Sequence, residues 1–372
     1  MKIGLITFHN ALNYGAALQA YATQKYLNKL GHECIIIDYT NECRAKKYDM
    51  KSQIFTQLKE KQFFTALRMG AGLIFMELRR KNFSKFYKDN TKRTRAAYTT
   101  NSQLKELNKE YDFFIVGSDQ VWNHVNNGAD TAYFLDFVTD KKKTASYASS
   151  FGTDGVPENL RSVYKQSLSE INHLSTRESL GVKVIKELTG RDAGLVLDPV
   201  FLLNKQEWIS LIGKTPTPRY NYIFSYTNRK GQLNRLIELS SLGISGKKIH
   251  KICRYLTVND FFNKNIKVDY FISPIQFLNN ILNADLIATA SFHCIALSII
   301  FNKKFVAFLT GDKGKDERVI NLLSITGLTD RIYNEKLTAK DIYADIDYTI
   351  VEEKLEKYRI KSQKFIKIAL SS

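Results

Sequence analysis

The chain opens with two short apolar runs separated by a stretch of helical period. Ile3 to Phe8 is the first run and Cys34-Ile35-Ile36-Ile37 the second. Between them Leu18, Tyr21, Ala22, Tyr26, Leu27 and Leu30 recur at three- and four-residue spacing. That spacing predicts a helix from about Ala16 to Leu30, with Gly31 as its stop. Two buried strands joined by a helix make a parallel βαβ unit. The alternation then repeats. Tyr111–Val116 and Lys143–Ala148 read as strands and Asn159–Asn172 as a helix. Further strands are predicted at Tyr220–Tyr226, Lys248–Cys253, Asp285–Thr289 and Lys304–Phe308. Helices fall at Lys230–Ser241, Pro274–Asn283 and Cys294–Phe301, with proline suited to a first helical position. Glu352 to Ala369 is a long amphipathic helix.

A chain of 372 residues exceeds one ordinary core and fits two domains. Three of its five prolines (Pro199, Pro216, Pro218) cluster after Leu195-Val196-Leu197, which places a hinge near them. The expected fold is α/β, with two doubly wound Rossmann-like domains in a GT-B-like plan. The N-terminal domain would span 1–200 with a helical excursion at 44–95. The C-terminal, donor-binding domain would span 201–347, and a helix at 348–372 would be free to cross back. No solenoid-length repeat or low-complexity tract is present.

Composition narrows the class. With 44% hydrophobic and 25% charged residues, the chain reads as a globular protein. No run approaches the ~18 consecutive apolar residues of a spanning helix. The N-terminal apolar run is too short for a signal peptide, so a cytoplasmic location is expected. The four cysteines form no CxxC pair and suggest neither a disulfide framework nor a zinc site. The formal charge is +18, and roughly 15 basic against 4 acidic side chains lie between Arg44 and Arg95. Anionic substrates, an anionic membrane surface and nucleic acid would all answer such a field. No helix-turn-helix, RNP or zinc-finger pattern accompanies it, so nucleic acid is not expected. Phe63-Phe64-Thr65-Ala66-Leu67 and Leu73-Ile74-Phe75-Met76 are bracketed by Arg68 and by Arg79-Arg80-Lys81. Such a stretch either lies on an anionic bilayer or is an ordinary helix with a solvated basic face.

In open parallel sheets ligands bind beyond the carboxyl ends of the strands. Five such loops carry candidate chemistry. His9-Asn10-Ala11-Leu12-Asn13-Tyr14-Gly15 precedes a helix N-terminus, which suits an anion or sugar hydroxyls, though a plain capped turn reads equally well. Ser118-Asp119-Gln120-Val121-Trp122-Asn123 brings a carboxylate, two amides and an indole. These suit a sugar, unless the segment is a capped helix start with Trp122 as a core plug. Arg177 is a fixed cationic fork for a carboxylate or phosphate, or else a partner of Glu178. Ser291-Phe292-His293 opens a helix, where His293 would be an acid–base group or a satisfied cap. The loop from Thr310 offers Lys313, Lys315 and Arg318 to a phosphate, against a solvated charge run.

As an ordered set these residues resemble the polysaccharide pyruvyl transferase family. The resemblance rests on Ile6-Thr7-Phe8-His9-Asn10 with Asn13-Tyr14-Gly15, Gly117-Ser118-Asp119-Gln120-Val121-Trp122-Asn123, Arg177-Glu178, Leu197-Asp198-Pro199-Val200 and Ser291-Phe292-His293. It implies phosphoenolpyruvate as co-substrate, with no cofactor. It also implies transfer of the pyruvyl group as a ketal onto a saccharide acceptor, expected to be lipid-linked and reached at the inner membrane face. By the same resemblance His293, Arg177 and Lys313 are catalytic, with the remaining loop residues and Arg318 binding substrate. The chain departs from the family at Ala290, Ser291 and Cys294, where an acid, an arginine and a glycine are frequent. A GT-B glycosyltransferase using a nucleotide-sugar is the alternative, and a non-catalytic protein docking through the basic segment is a third reading.

Overall fold

The computed structural model describes residues 1–48, 54–55, 58–59, 63–216, 221–226, 248–252 and 266–371. Strands β1 (Lys2–Ile6), β2 (Glu33–Ile36), β3 (Phe113–Val116) and β4 (Thr144–Ser146) form a parallel sheet in the order β2-β1-β3-β4. β5 (Ser175–Thr176) and β6 (Gly194–Leu195) pair parallel and continue it through bridges at Ala145–His173 and Ser149–Thr176. The second sheet is also parallel, with β7 (Tyr222–Tyr226), β8 (Lys248–Ile252), β9 (Ile266–Asp269), β10 (Leu286–Thr289) and β11 (Phe305–Ala307) in the order β11-β10-β7-β8-β9. The two Rossmann-like halves are therefore present. The helix expected at Lys230–Ser241 lies outside the described residues.

The principal helices are α1 (Tyr14–Lys29), α2 (Glu42–Tyr48), α3 (Phe63–Asn90), α4 (Arg161–Glu170), α5 (Ser179–Thr189), α6 (Lys205–Ile212), α7 (Pro274–Asn283), α8 (Phe292–Ile300), α9 (Lys313–Thr326) and α10 (Tyr348–Ser371). Two begin earlier than hydrophobic period alone predicts, because a side chain caps them. Asn13 Oδ1 accepts from Ala16 N at 3.2 Å, and Ser291 Oγ accepts from Cys294 N at 3.5 Å. Tyr14 and Gly15, read as loop, are thus the first turn of α1, and His293 lies in the first turn of α8.

An apolar core runs from one half into the other. Tyr14, Leu18 and Tyr21 of α1 meet Phe83 of α3, Phe201, Trp208, Phe277 and Phe292. Tyr14 stacks on Phe277 with centroids 4.5 Å apart, and its hydroxyl donates to Ile272 O at 3.2 Å. Pro199 does not sit in an open linker. It starts a buried 3-10 turn, Pro199–Leu202, which Asp198 caps and which packs against α1, α8 and α10. The C-terminal half of the basic excursion is equally embedded: Phe83, Phe86, Tyr87 and Arg79 of α3 are buried.

Helix α10 crosses from the second half to the first. Its Tyr348 hydroxyl donates to Lys303 O, and Val351 and Leu355 join the shared core. Farther along, Ser362 Oγ accepts from Leu197 N at 2.8 Å, and Ile366 and Ala369 pack with Ile3, Leu5 and Leu27. Among the described residues, no helix is long and apolar enough to cross a membrane.

Candidate active site

Three strands of the first sheet release the chain at the same edge. β3 leads into Gly117-Ser118-Asp119, β5 into Arg177-Glu178, and β6 by way of Val196-Leu197 into Asp198. Arg177 is the centre on which they converge, and its side chain is fully buried. Nη1 donates to Asp198 Oδ2 at 2.6 Å and to Ser118 Oγ at 3.3 Å, while Nη2 donates to Asp119 Oδ1 at 3.5 Å. Nε lies 3.8 Å from Glu178 Oε2. Ser118 in turn donates its hydroxyl to Asp198 Oδ2 at 2.9 Å. One guanidinium is thus ringed by three carboxylates, and in this arrangement it organises the floor of the site.

Burial and charge push these groups in different directions. Burial would raise the Asp198 carboxyl, but His293 and Arg177 outweigh it and hold the group well below the usual carboxylate range. Glu178 goes the other way: burial raises it, and the attraction of Arg177 and Arg318 offsets that only in part. Burial, and then the charge of Arg177, pull the Arg318 guanidinium down to about 10.

The second half supplies the opposing wall. His293 Nε2 lies 3.4 Å from Asp198 Oδ2, close enough for an ion pair but not aligned as a hydrogen bond. Phe292 places its ring between the two arginines, 5.0 Å from the Arg177 guanidinium and 5.9 Å from that of Arg318. Arg318 projects from α9 and is almost fully buried. Its Nε and His293 Nε2 lack hydrogen-bond partners among the described residues.

The N-termini of α1 and α8 meet across this seam, and that of α9 packs on a loop of the first half. A Cβ on Gly15 in α1 would stand 2.1 Å from His293 Nδ1, so the first turns of α1 and α8 are in direct contact. A Cβ on Gly314, in the first turn of α9, would stand 2.6 Å from Thr153 Cα in the first half. First-turn N–H groups and helix dipoles concentrate positive potential where such turns converge. A small dianion or trianion is the chemical complement of that arrangement.

The candidate residues separate into those brought to this seam and those held elsewhere. Arg177, Ser118, Asp119, Gly15, Ser291, His293 and Arg318 are at it, and Asn13 caps α1 there. Lys313 is the exposed first residue of α9, and Lys315 pairs with Asp312 at 2.5 Å. Trp122 is a core plug: it is buried, stacks on Phe134, and donates Nε1–H to Tyr133 O at 3.0 Å. It offers no ring face to a sugar. Tyr14 is likewise spent in the inter-domain core. His9 is buried between two acceptors, Asp38 Oδ1 at 3.0 Å and Thr7 O at 3.1 Å, and Asn10 also donates to Asp38. Burial would raise the Asp38 carboxyl, but those bonds and Arg93 hold it down to about 2. Gln120 and Asn123 are engaged with each other at 3.3 Å, and Asn123 caps the turn at His124.

Asp198, Glu178 and Phe292 belong to the site and were not singled out from the sequence as site residues. The position of Asp198 beyond the carboxyl end of β6, after Val196-Leu197, is the available signal. Among the described residues, no three His, Cys, Asp or Glu side chains are grouped to hold a metal ion.

Known proteins place this architecture. A family model described as polysaccharide pyruvyl transferase matches residues 13–312. No curated protein matches the chain. Among solved structures, UDP-N-acetylglucosamine 2-epimerase from Rickettsia bellii is similar with a TM-score of 0.54 at 11% identity, covering 100% of this chain and 96% of that one. UDP-GlcNAc 2-epimerase from Neisseria meningitidis, bound to UDP-GlcNAc, gives 0.53 at 9% identity and covers 100% of both chains. AviGT4, a glycosyltransferase involved in avilamycin A biosynthesis, gives 0.51 at 8% identity, covering 99% and 97%. At these identities the likeness is one of fold, and the fold is GT-B-like.

Proposed function

The chain belongs to the polysaccharide pyruvyl transferase family, and on that premise we propose that it transfers the pyruvyl group of phosphoenolpyruvate to a saccharide as a ketal, releasing phosphate. The observation that carries this reading is the seam itself. The N-termini of α1 and α8, a buried histidine and a buried arginine with unpartnered nitrogens come together there. Phosphoenolpyruvate brings a carboxylate and a phosphate on a small skeleton, which is the ligand such a seam would neutralise.

In this mechanism His293 protonates C3 of the enol, and the electron deficiency created at C2 is met by a sugar hydroxyl. Arg318 balances the charge of the carboxylate and the departing phosphate, with the helix N-termini oriented in advance. Arg318 takes over the duty of the arginine that the family often carries where this chain has Ser291. Arg177, already engaged by Asp198 and Asp119, keeps the floor rigid and contributes its charge at close range. A second hydroxyl closes the ketal. The acceptor is a saccharide, and a lipid-linked one would be met at the cytoplasmic membrane surface, where exposed basic residues of the 44–95 segment such as Arg80, Lys85 and Lys92 would complement anionic lipid.

The test is thermal stabilisation by phosphoenolpyruvate compared with UDP- and CMP-sugars, followed by phosphate release with wild type and His293→Ala. Stabilisation by phosphoenolpyruvate alone, with turnover lost in a folded His293→Ala variant, supports the reading. Stabilisation by a nucleotide-sugar alone would replace it with glycosyl transfer, the activity the GT-B fold also hosts.

A further inference from the structure

Ketal formation from an enol phosphate moves two protons in opposite senses, and one histidine cannot do both at once. A proton must reach C3 while another leaves the attacking hydroxyl. Resting on the function proposed above, we propose that Asp119 is the catalytic base that takes the proton from the first acceptor hydroxyl.

Three carboxylates surround Arg177, and their exposures separate them. The side chain of Asp198 is sealed and that of Glu178 is 5% exposed, whereas Asp119 retains 16%. Both oxygens of Asp198 are committed: Oδ2 to Arg177 and Ser118, Oδ1 to the backbone N–H of Val200. Glu178 Oε1 accepts from Phe151 N at 3.2 Å, and its Oε2, though it makes no hydrogen bond, is sealed in against Arg177 Nε at 3.8 Å. Asp119 uses Oδ1 alone, accepting from Gln120 N at 2.8 Å and from Arg177 Nη2. No donor among the described residues reaches its Oδ2. Of the three, Asp119 is the carboxylate whose unbonded oxygen belongs to a side chain open to the mouth of the site.

Its backbone is held for the purpose. Asp119 has φ of 76°, a left-handed conformation that costs a non-glycine residue free energy. The carbonyl is pinned there by Val121 N at 2.8 Å and Ser150 N at 3.0 Å. A turn that needed this conformation for shape alone would be served better by glycine. Keeping aspartate retains a carboxylate at the end of β3, whose charge acts on Tyr87, Arg177 and Arg318.

Arg177 also fixes the relation between the two proton-handling groups. Nη1 holds Asp198, against which His293 sits, and Nη2 holds Asp119. The histidine and the free carboxylate therefore flank one guanidinium. The donor's C2=C3 bond lying between them would present C3 to His293, and C2 to a hydroxyl on the Asp119 side.

The protons and electrons balance as follows. The hydroxyl oxygen forms a bond to C2 as its proton passes to Asp119, while the C2=C3 π pair takes a proton from His293 and makes the methyl group. The C2–O bond to phosphate then breaks, its electron pair leaving with the phosphate, which takes the proton held by Asp119. The second hydroxyl adds to C2 and gives its proton to the now neutral His293. Both residues return to their starting states.

The experiment uses the full chain with Asp119→Asn and Asp119→Gly, the glycine variant keeping the left-handed backbone without strain. Phosphoenolpyruvate should raise the melting temperature of wild type and of both variants alike. Phosphate release should fall about 10²–10⁴-fold in the variants, the acid-side rise of the pH–rate profile should disappear, and formate should restore part of the turnover of Asp119→Gly. Turnover within about threefold of wild type, with the acid limb intact, overturns the assignment and leaves the proposed function standing. Wild type that neither binds phosphoenolpyruvate nor releases phosphate overturns both.

Discussion

Gly15 and His293 press against each other from opposite halves of the molecule, with no room between them for a side chain. A single methyl group on Gly15 would lie 2.1 Å from Nδ1 and 2.4 Å from Cγ of the imidazole, closer than any real contact. In an ordinary helix, glycine to alanine is worth about 0.5–1 kcal/mol of added stability. Here the sign should reverse. Gly15→Ala is expected to lower the melting temperature and cut turnover at least tenfold, because His293 must leave its place beside Asp198. A calorimetric scan and a phosphate-release assay on the purified variant check both halves of this.

Asp198 ties the two halves electrostatically. Replacing it with asparagine leaves Arg177 short of its closest counter-charge in a buried site, a loss of about 3–5 kcal/mol. The folded-state carboxyl titrates below its unfolded value, so its contribution is complete above about pH 4 and fades as pH falls further. Urea titrations should show wild type losing stability below that pH, with a shallower loss in Asp198→Asn. Asp38, held down by His9, Asn10 and Arg93, contributes in the same direction.

Glu178 should behave in the opposite sense. Its folded-state value is raised by burial, so its ionisation costs stability as pH climbs above the unfolded carboxylate range. Glu178→Gln keeps an oxygen for Phe151 N and removes the charge. The variant should match wild type near pH 4 and become the more stable of the two at neutral pH, measured by urea midpoint.

Much of the architecture is legible as pattern, because parallel strands buried on both faces read as apolar runs. β1, β2, β3 and the helix opened by Pro274 fall where period and proline put them. The site is less legible, since its members pair over long separations. His9 stands in a plausible ligand loop, yet its partner Asp38 is a residue of another loop, and nothing local says that the two will satisfy each other. Trp122 follows a strand as a sugar-stacking residue would, but Phe134 and Tyr133 O claim it. Asp198 hides for a different reason. In Asp-Pro it reads as a turn cap, and Oδ1 does cap Val200, while the second oxygen serves Arg177 and Ser118.

Ser362 offers a test of the crossing helix free of the site's charges. Its hydroxyl oxygen accepts from Leu197 N in a buried setting. Ser362→Ala strands that N–H, with an expected loss of about 1–3 kcal/mol. Chemical denaturation should show the loss, and the affinity for phosphoenolpyruvate should be unchanged.

The path of α10 has a consequence for how the polypeptide comes into being. Ile3 and Leu5 leave the ribosome well before Ile366 and Ala369, which cover them in part. At elongation rates of about 5–20 residues per second, these partners emerge roughly 20–70 s apart. For that interval the nascent N-terminal sheet carries an uncovered apolar strip, so truncated products should be the ones that chaperones retain and that precipitate when chaperones are scarce.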